Sequence, residues 1–194
     1  MKKLILFIIL AVYTTLGFSQ DYKIIPGMVL KTAEQEFVIL VNDYRKEKGL
    51  EPVVLDNKYY SNVYNQSYYL SHLNEYFMRT GNNTLYISHG QELDLPDYTE
   101  ITREYKGTIN RGECVTHKMD WLFEFNKRTE KEIATMALNC WKKSPPHNAT
   151  LLNKEYKKIS ICCYRTQIID YTPIGQKFTY KAVIFASTLV MGEW

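Results

Sequence analysis

His147 follows Ser144, Pro145 and Pro146, and the two prolines decide what its imidazole can do. Proline lacks an amide hydrogen and drives the residue before it out of helical geometry. A helix arriving from the amino-terminal side therefore stops near Ser144, and a new turn opens with His147 just inside it. An imidazole held at a rigid corner is suited to move a proton near neutral pH or to ligate a metal ion. Ser144 could serve as a nucleophile with His147 as its base, the chemistry of a hydrolase. Its alternative is a plain turn residue ahead of proline, and the sequence carries neither a nucleophile elbow nor an oxyanion-hole motif. His72, His89 and His117 each stand alone in sequence, where a histidine is usually a hydrogen-bonded or surface residue.

Cysteine is the other reactive type. Cys114, Cys140, Cys162 and Cys163 make disulfides an expectation in an exported chain, with three pairings open. Cys162 and Cys163 are adjacent and point to opposite faces of a strand, so each has a separate fate. No C-x-x-C zinc spacing occurs, and vicinal cysteines bridge only with strain. Buried free thiols are the alternative, because cysteine packs well as a small hydrophobe.

The 194 residues allow one compact domain, with no internal repeat or low-complexity segment. Lys2 and Lys3, an apolar run from Leu4 to Val12 and then Gly17 and Ser19 read as a secretory signal peptide over residues 1–20. The run is shorter than the roughly 20 apolar residues of a membrane span, so no stable membrane insertion is expected after cleavage. Removing Lys2 and Lys3 with it leaves 22 basic against 21 acidic residues, and no basic stripe that would suit nucleic acid. Residues 21–31, broken by Pro26 and Gly27, read as a surface linker, and residues 32–190 as the folded domain.

The elements that must position His147 have their own signals. Thr129 with Glu132 reads as a capping box, and Ile133, Met136, Ala137, Cys140 and Trp141 then share one helical face. Thr32 with Gln35 reads as a second capping box, ahead of an apolar stripe of Phe37, Leu40, Val41 and Tyr44 and a stop at Gly49. Asp56 is expected to cap another helix carrying Tyr60, Val63, Tyr64, Ser67 and Leu70. Residues 91–109 read as a long loop. Residues 119–125, rich in aromatics, fit helix and strand equally and read as a packed insert. Ile159, Ile161 and Cys163 alternate as a strand, Pro173 and Gly175 mark a turn, and 178–189 reads as a strand covered on both faces.

Trp141, Ser144, Pro145, His147, Leu151 and Leu152 stand as W-x-x-S-P-x-H-x-x-x-L-L. This resembles the signature of the CAP superfamily, the cysteine-rich secretory, antigen 5 and pathogenesis-related proteins with an SCP-like domain. Asn42, Arg45, Gly49, Leu50 and Pro52 match the family's amino-terminal N-x-x-R-x-x-x-G-L-x-P pattern; His89 matches its first cleft histidine, and Gly112 with Glu113 resembles its G-E-N motif. The resemblance spans roughly residues 32–187. It implies an α+β fold, a three-layer α/β/α sandwich, in which Asn42 and Arg45 serve structure and His89, Glu113, Ser144 and His147 line a cleft. Cys114 stands where the family has asparagine, so a disulfide from Cys114 to Cys140, Cys162 or Cys163 is expected to hold that turn.

The function implied is that of a secreted binding module, extracellular or periplasmic, that takes a lipid, sterol, peptide or other small apolar ligand. Two neutral imidazoles and a carboxylate, His89, His147 and Glu113, suit zinc or a similar divalent ion if they converge. A hydrolase using Ser144, His147 and Glu113 is the second reading, and a structural partner-binding protein with 119–125 outward is the third.

Overall fold

A computed structural model describes residues 27–79, 89, 111–121, 126–166, 168–172, 175 and 177–194. In chain order these form β1 (Met28–Val29), α1 (Lys31–Glu47), β2 (Val54–Leu55), α2 (Tyr60–Arg79), β3 (Arg111–Trp121), α3 (Glu130–Lys143), α4 (Pro145–Leu151), β4 (Lys158–Arg165), β5 (Ile169–Tyr171) and β6 (Tyr180–Gly192). One mixed sheet runs in the order β1, β4, β6, β3, with β2 added to β4 and β5 to β6. β6 is its spine. It pairs antiparallel along its length with both β3 and β4, which is why Tyr180–Gly192 reads as a nearly unbroken apolar run buried on both faces.

The alternation of side chains along β4 and β6 divides the core in two. Ile159, Ile161, Cys163, Phe185, Leu189 and Met191 face one side, against Phe37 and Val41 of α1 and Ile133, Ala137 and Trp141 of α3. Cys162, Tyr164 and Val190 face the other, against Tyr59 and Val63 at the start of α2; further along, Ala186 meets Tyr69, Leu70 and Leu73. Helices therefore cover both faces, and the fold is the α+β three-layer sandwich.

α3 starts as its sequence predicts. Thr129 Oγ1 accepts from the Glu132 amide at 3.2 Å while the Glu132 carboxylate accepts from the Thr129 amide at 2.7 Å. The start of α1 differs from expectation. Thr32 caps nothing; the helix begins at Lys31, and the Ala33 amide is taken up by Glu130 Oε2 of α3 at 2.7 Å, an acceptor 97 residues away. Asp56 accepts from the Lys58 amide at 2.8 Å and so fixes the turn ahead of α2 rather than capping the helix. Residues 28–31, read as linker, are structural: β1 pairs with β4, and the buried Leu30 donates its amide to Cys163 O at 2.8 Å. The strand β3 also runs on to Trp121, so the beginning of the aromatic insert is sheet; residues 122–125 lie outside the described ones, as do 91–109 and Pro173.

All four cysteines are free thiols, contrary to the expected bridge. Cys114 and Cys163 share a sheet face but lie two strands apart, about 10 Å by strand spacing, beyond the roughly 7 Å that a disulfide spans. Cys162 faces the other layer. Cys140 is exposed on α3, where its sulfur accepts from Thr116 Oγ1 at 3.4 Å. Burial pushes the Cys114 and Cys162 thiols up and Cys163 up to about 12, as expected of cysteines packed as hydrophobes. No helix among the described residues is long and apolar enough to cross a membrane.

Arg45 is fully buried and ties three segments together. Its guanidinium donates to Glu51 O at 2.8 Å, Leu151 O at 2.7 Å, Asn153 O at 3.1 Å and Tyr156 O at 3.3 Å. Asn42 adds a two-way bond to Val53, accepting from its amide at 2.8 Å and donating to its carbonyl at 3.0 Å. Arg45→Met should leave these carbonyls buried without donors and lower stability by on the order of 4 kcal/mol in denaturant unfolding. A loss under about 1 kcal/mol would show that the loops hold themselves.

Candidate functional site

His147 lies in the first turn of α4, the seven-residue helix that the Ser144-Pro145-Pro146 corner starts, with proline at its first positions. Ser144 ends α3 and opens α4 in an extended conformation (φ −94°, ψ 114°), so the chain turns sharply there. Three contacts seat α4. Arg45 binds the Leu151 carbonyl at its end, Tyr44 donates to Asn148 Oδ1 at 2.9 Å, and the Cys114 thiol reaches His147 O at 3.7 Å.

Gly112 explains how closely α4 approaches the sheet. A Cβ at that position would come within 2.5 Å of Thr150 Cγ2 and 2.6 Å of its Oγ1, so any side chain larger than hydrogen would force Thr150 of α4 to shift. The glycine of the Gly112-Glu113 pair thus serves packing, and the glutamate beside it is fixed by the ladder between β3 and β6, where Glu113 stands opposite Val190.

Those two constraints bring the expected trio together. His89 Nδ1 meets Glu113 Oε1 at 2.9 Å, and His89 Nε2 meets His147 Nε2 at 3.4 Å. The groups form a line, with His89 in the middle and its ring 5.6 Å from that of His147. Glu113 therefore stands behind His89 rather than beside the two Nε2 atoms, and the expected set of three direct ligands is not formed. Among the described residues no group of three or more His, Cys, Asp and Glu side chains is arranged to hold a metal ion. The Glu113 side chain is 13% exposed and that of His89 52%, and His147 is half-buried, so the middle member of the line is the one most open to solvent.

A carboxylate accepts only, so His89 donates from Nδ1, and in its neutral form it presents a bare Nε2 to His147. Burial, with His89 as a second cause, lowers the His147 pKa, while Glu113 raises it by less. His147 Nδ1 is buried with no hydrogen-bond partner among the described residues. Ser144 sits in the same corner, yet its hydroxyl makes no hydrogen bond to His147 among the described residues, and its N–H goes to Trp141 O. The remaining histidines lie elsewhere: His72 is on α2 with its ring 3.9 Å from that of Tyr68, and His117 is on β3.

Gly112→Ala should lower stability by about 1–3 kcal/mol through this overpacking, and Thr150→Ala in the same chain should restore most of it. Denaturant unfolding of both singles and the double checks this; purely additive losses would contradict the contact. A second expectation concerns acid. Burial lowers His72, and lowers His117 to about 4, so the unfolded chain binds more protons than the folded one below the ordinary histidine value near 6.5. Stability should therefore fall from about pH 6.5 toward pH 4, and His117→Asn should flatten that slope in melts taken across the range; an unchanged slope would contradict it.

Among curated proteins, no sequence match was found. By structure, the chain is similar to an outer surface protein from Borrelia burgdorferi, at 14% identity over 86% of this chain and 98% of that one, with a TM-score of 0.35. It is also similar to a cysteine-rich secretory protein from Staphylococcus aureus (14% identity, 84% of this chain and 39% of that one, TM-score 0.30). A third is an extracellular protein containing an SCP domain from Bacillus anthracis (15% identity, 80% and 40%, TM-score 0.37). The chain thus spans about two-fifths of the length of these last two. The model of the cysteine-rich secretory protein family, CAP, matches residues 38–179, well over half of the sequence, and the protein belongs to that family.

Proposed function

We propose that the chain is an exported binding module whose cleft takes a small apolar, lipid or peptide ligand, with the His89 and His147 pair as its polar end and a divalent ion of the zinc class held there. Residues 1–20 act as the export signal, a short lead follows, and the domain runs from β1 through β6. The observation that carries the reading is the 3.4 Å between the two Nε2 atoms. Two nitrogens bound tetrahedrally to one zinc ion at about 2.0–2.1 Å stand about 3.4 Å apart, so the pair fits two of its positions. Glu113 supports the fit by holding the His89 ring and its tautomer from behind, the usual place of a carboxylate around a metal-bound histidine. An ion there would offer open positions to a ligand's oxygen atoms, while the chain's own residues orient the pair and exclude water from its inner side. The hydrolase reading has less support, since Ser144 has no hydrogen bond to a base among the described residues.

Zinc titration by calorimetry tests the reading. His89→Ala and His147→Ala should each lose the site, Glu113→Gln should weaken it about 10–100-fold, and wild-type affinity should fall as pH drops through about 6.5, because protons compete for the nitrogens. Equal affinity in all four proteins would overturn it. Saturable ligand binding without turnover separates the module from the hydrolase, for which Ser144→Ala would abolish turnover.

A further inference from the structure

A cavity of about 410 Å³ lies between α3 and β3, sharing no lining residue with the His89, Glu113 and His147 line. α3 supplies Met136, Cys140 and Lys143, which fall on one stripe at helical spacing beside the core-facing Ala137 and Trp141. β3 supplies Thr116 and Lys118, and β6 supplies Phe185. The volume is that of a site for a small molecule.

Its chemistry is two-sided. Met136 and Phe185 offer a thioether and a ring, a combination that favours a flat aromatic group. Two lysines line the same space, and among the described residues no carboxylate does. Lys118 reaches Asp120 at 3.1 Å, but that carboxylate is shared with Arg128 at 2.5 Å, so the local charge stays positive. Lys143, exposed at the end of α3, has no ion pair among the described residues.

We propose that this cavity is a second ligand site, specific for an aromatic carboxylate: the ring lies against Met136 and Phe185 and the carboxylate meets the Lys143 ammonium. The site goes beyond the proposed function, since it needs neither the histidine pair nor a metal ion.

Cys140 supplies the reporter. It lines the cavity and is the exposed thiol, whereas Cys114, Cys162 and Cys163 are buried, so iodoacetamide should alkylate Cys140 first. In the full mature chain, 2-naphthoate should slow that alkylation saturably, and neutral 2-naphthamide should require at least about tenfold more for the same protection. Lys143→Gln, on the exposed helix surface, should weaken 2-naphthoate about tenfold and leave 2-naphthamide unchanged. His147→Ala should leave 2-naphthoate protection intact. No protection, equal potency of the acid and the amide, or loss of protection in His147→Ala would each overturn the site, the last by placing the ligand in the other cleft. Thermal melts of each variant show that it is folded before it is compared.

Discussion

A buried guanidinium is costly to desolvate, and among the described residues Arg45 is held in the core by carbonyl oxygens alone. Those carbonyls come from the loop after α1, the end of α4 and the turn leading to β4. One side chain thereby closes the carboxyl end of α4 against α1 and fixes the path into the sheet. Proline fixes the other end of α4 at the Ser144 corner. Between the two, Thr150 rests on the bare backbone of Gly112 and Asn148 accepts from Tyr44. A seven-residue helix has little stability of its own, so its position is set almost wholly by these outside contacts. The place of His147 is a consequence of them.

The site adds a second arrangement to that seat. Glu113 is anchored by the β3 and β6 ladder and mostly buried, while His89 is half exposed and reaches back to it. The inner carboxylate sets the tautomer of the outer imidazole, and that tautomer turns a bare nitrogen toward His147. Two nitrogens facing each other need a proton or a cation between them. This requirement links the local packing around α4 to the binding chemistry proposed for the cleft, and it depends on no catalytic serine.

Local signals were readable where their partners are close in sequence. The capping box of Thr129 and Glu132, the proline stop and the left-handed Gly49 (φ 70°) lie within a few residues of the atoms they satisfy. The start of α1 was not readable, because its cap is Glu130, 97 residues on, and nothing near Thr32 announces it. The cysteines misled for a related reason: their number suggests bridges, whereas strand spacing and opposite faces separate them, and only the pairing register reveals both. The site was half legible. His89, Glu113 and His147 are separated by 24 and 34 residues and no spacing rule joins them; family resemblance named them, but the order in which they stand, with the carboxylate behind one imidazole, required the geometry.

That order is the central claim, and long-range nitrogen-15 NMR of the histidine rings in metal-free protein near pH 7.5 tests it most directly. The expected result is a protonated Nδ1 with a bare Nε2 on His89, a protonated Nε2 on His147, and loss of the His89 preference in Glu113→Gln. His89 found with its proton on Nε2 and insensitive to Glu113→Gln would contradict it.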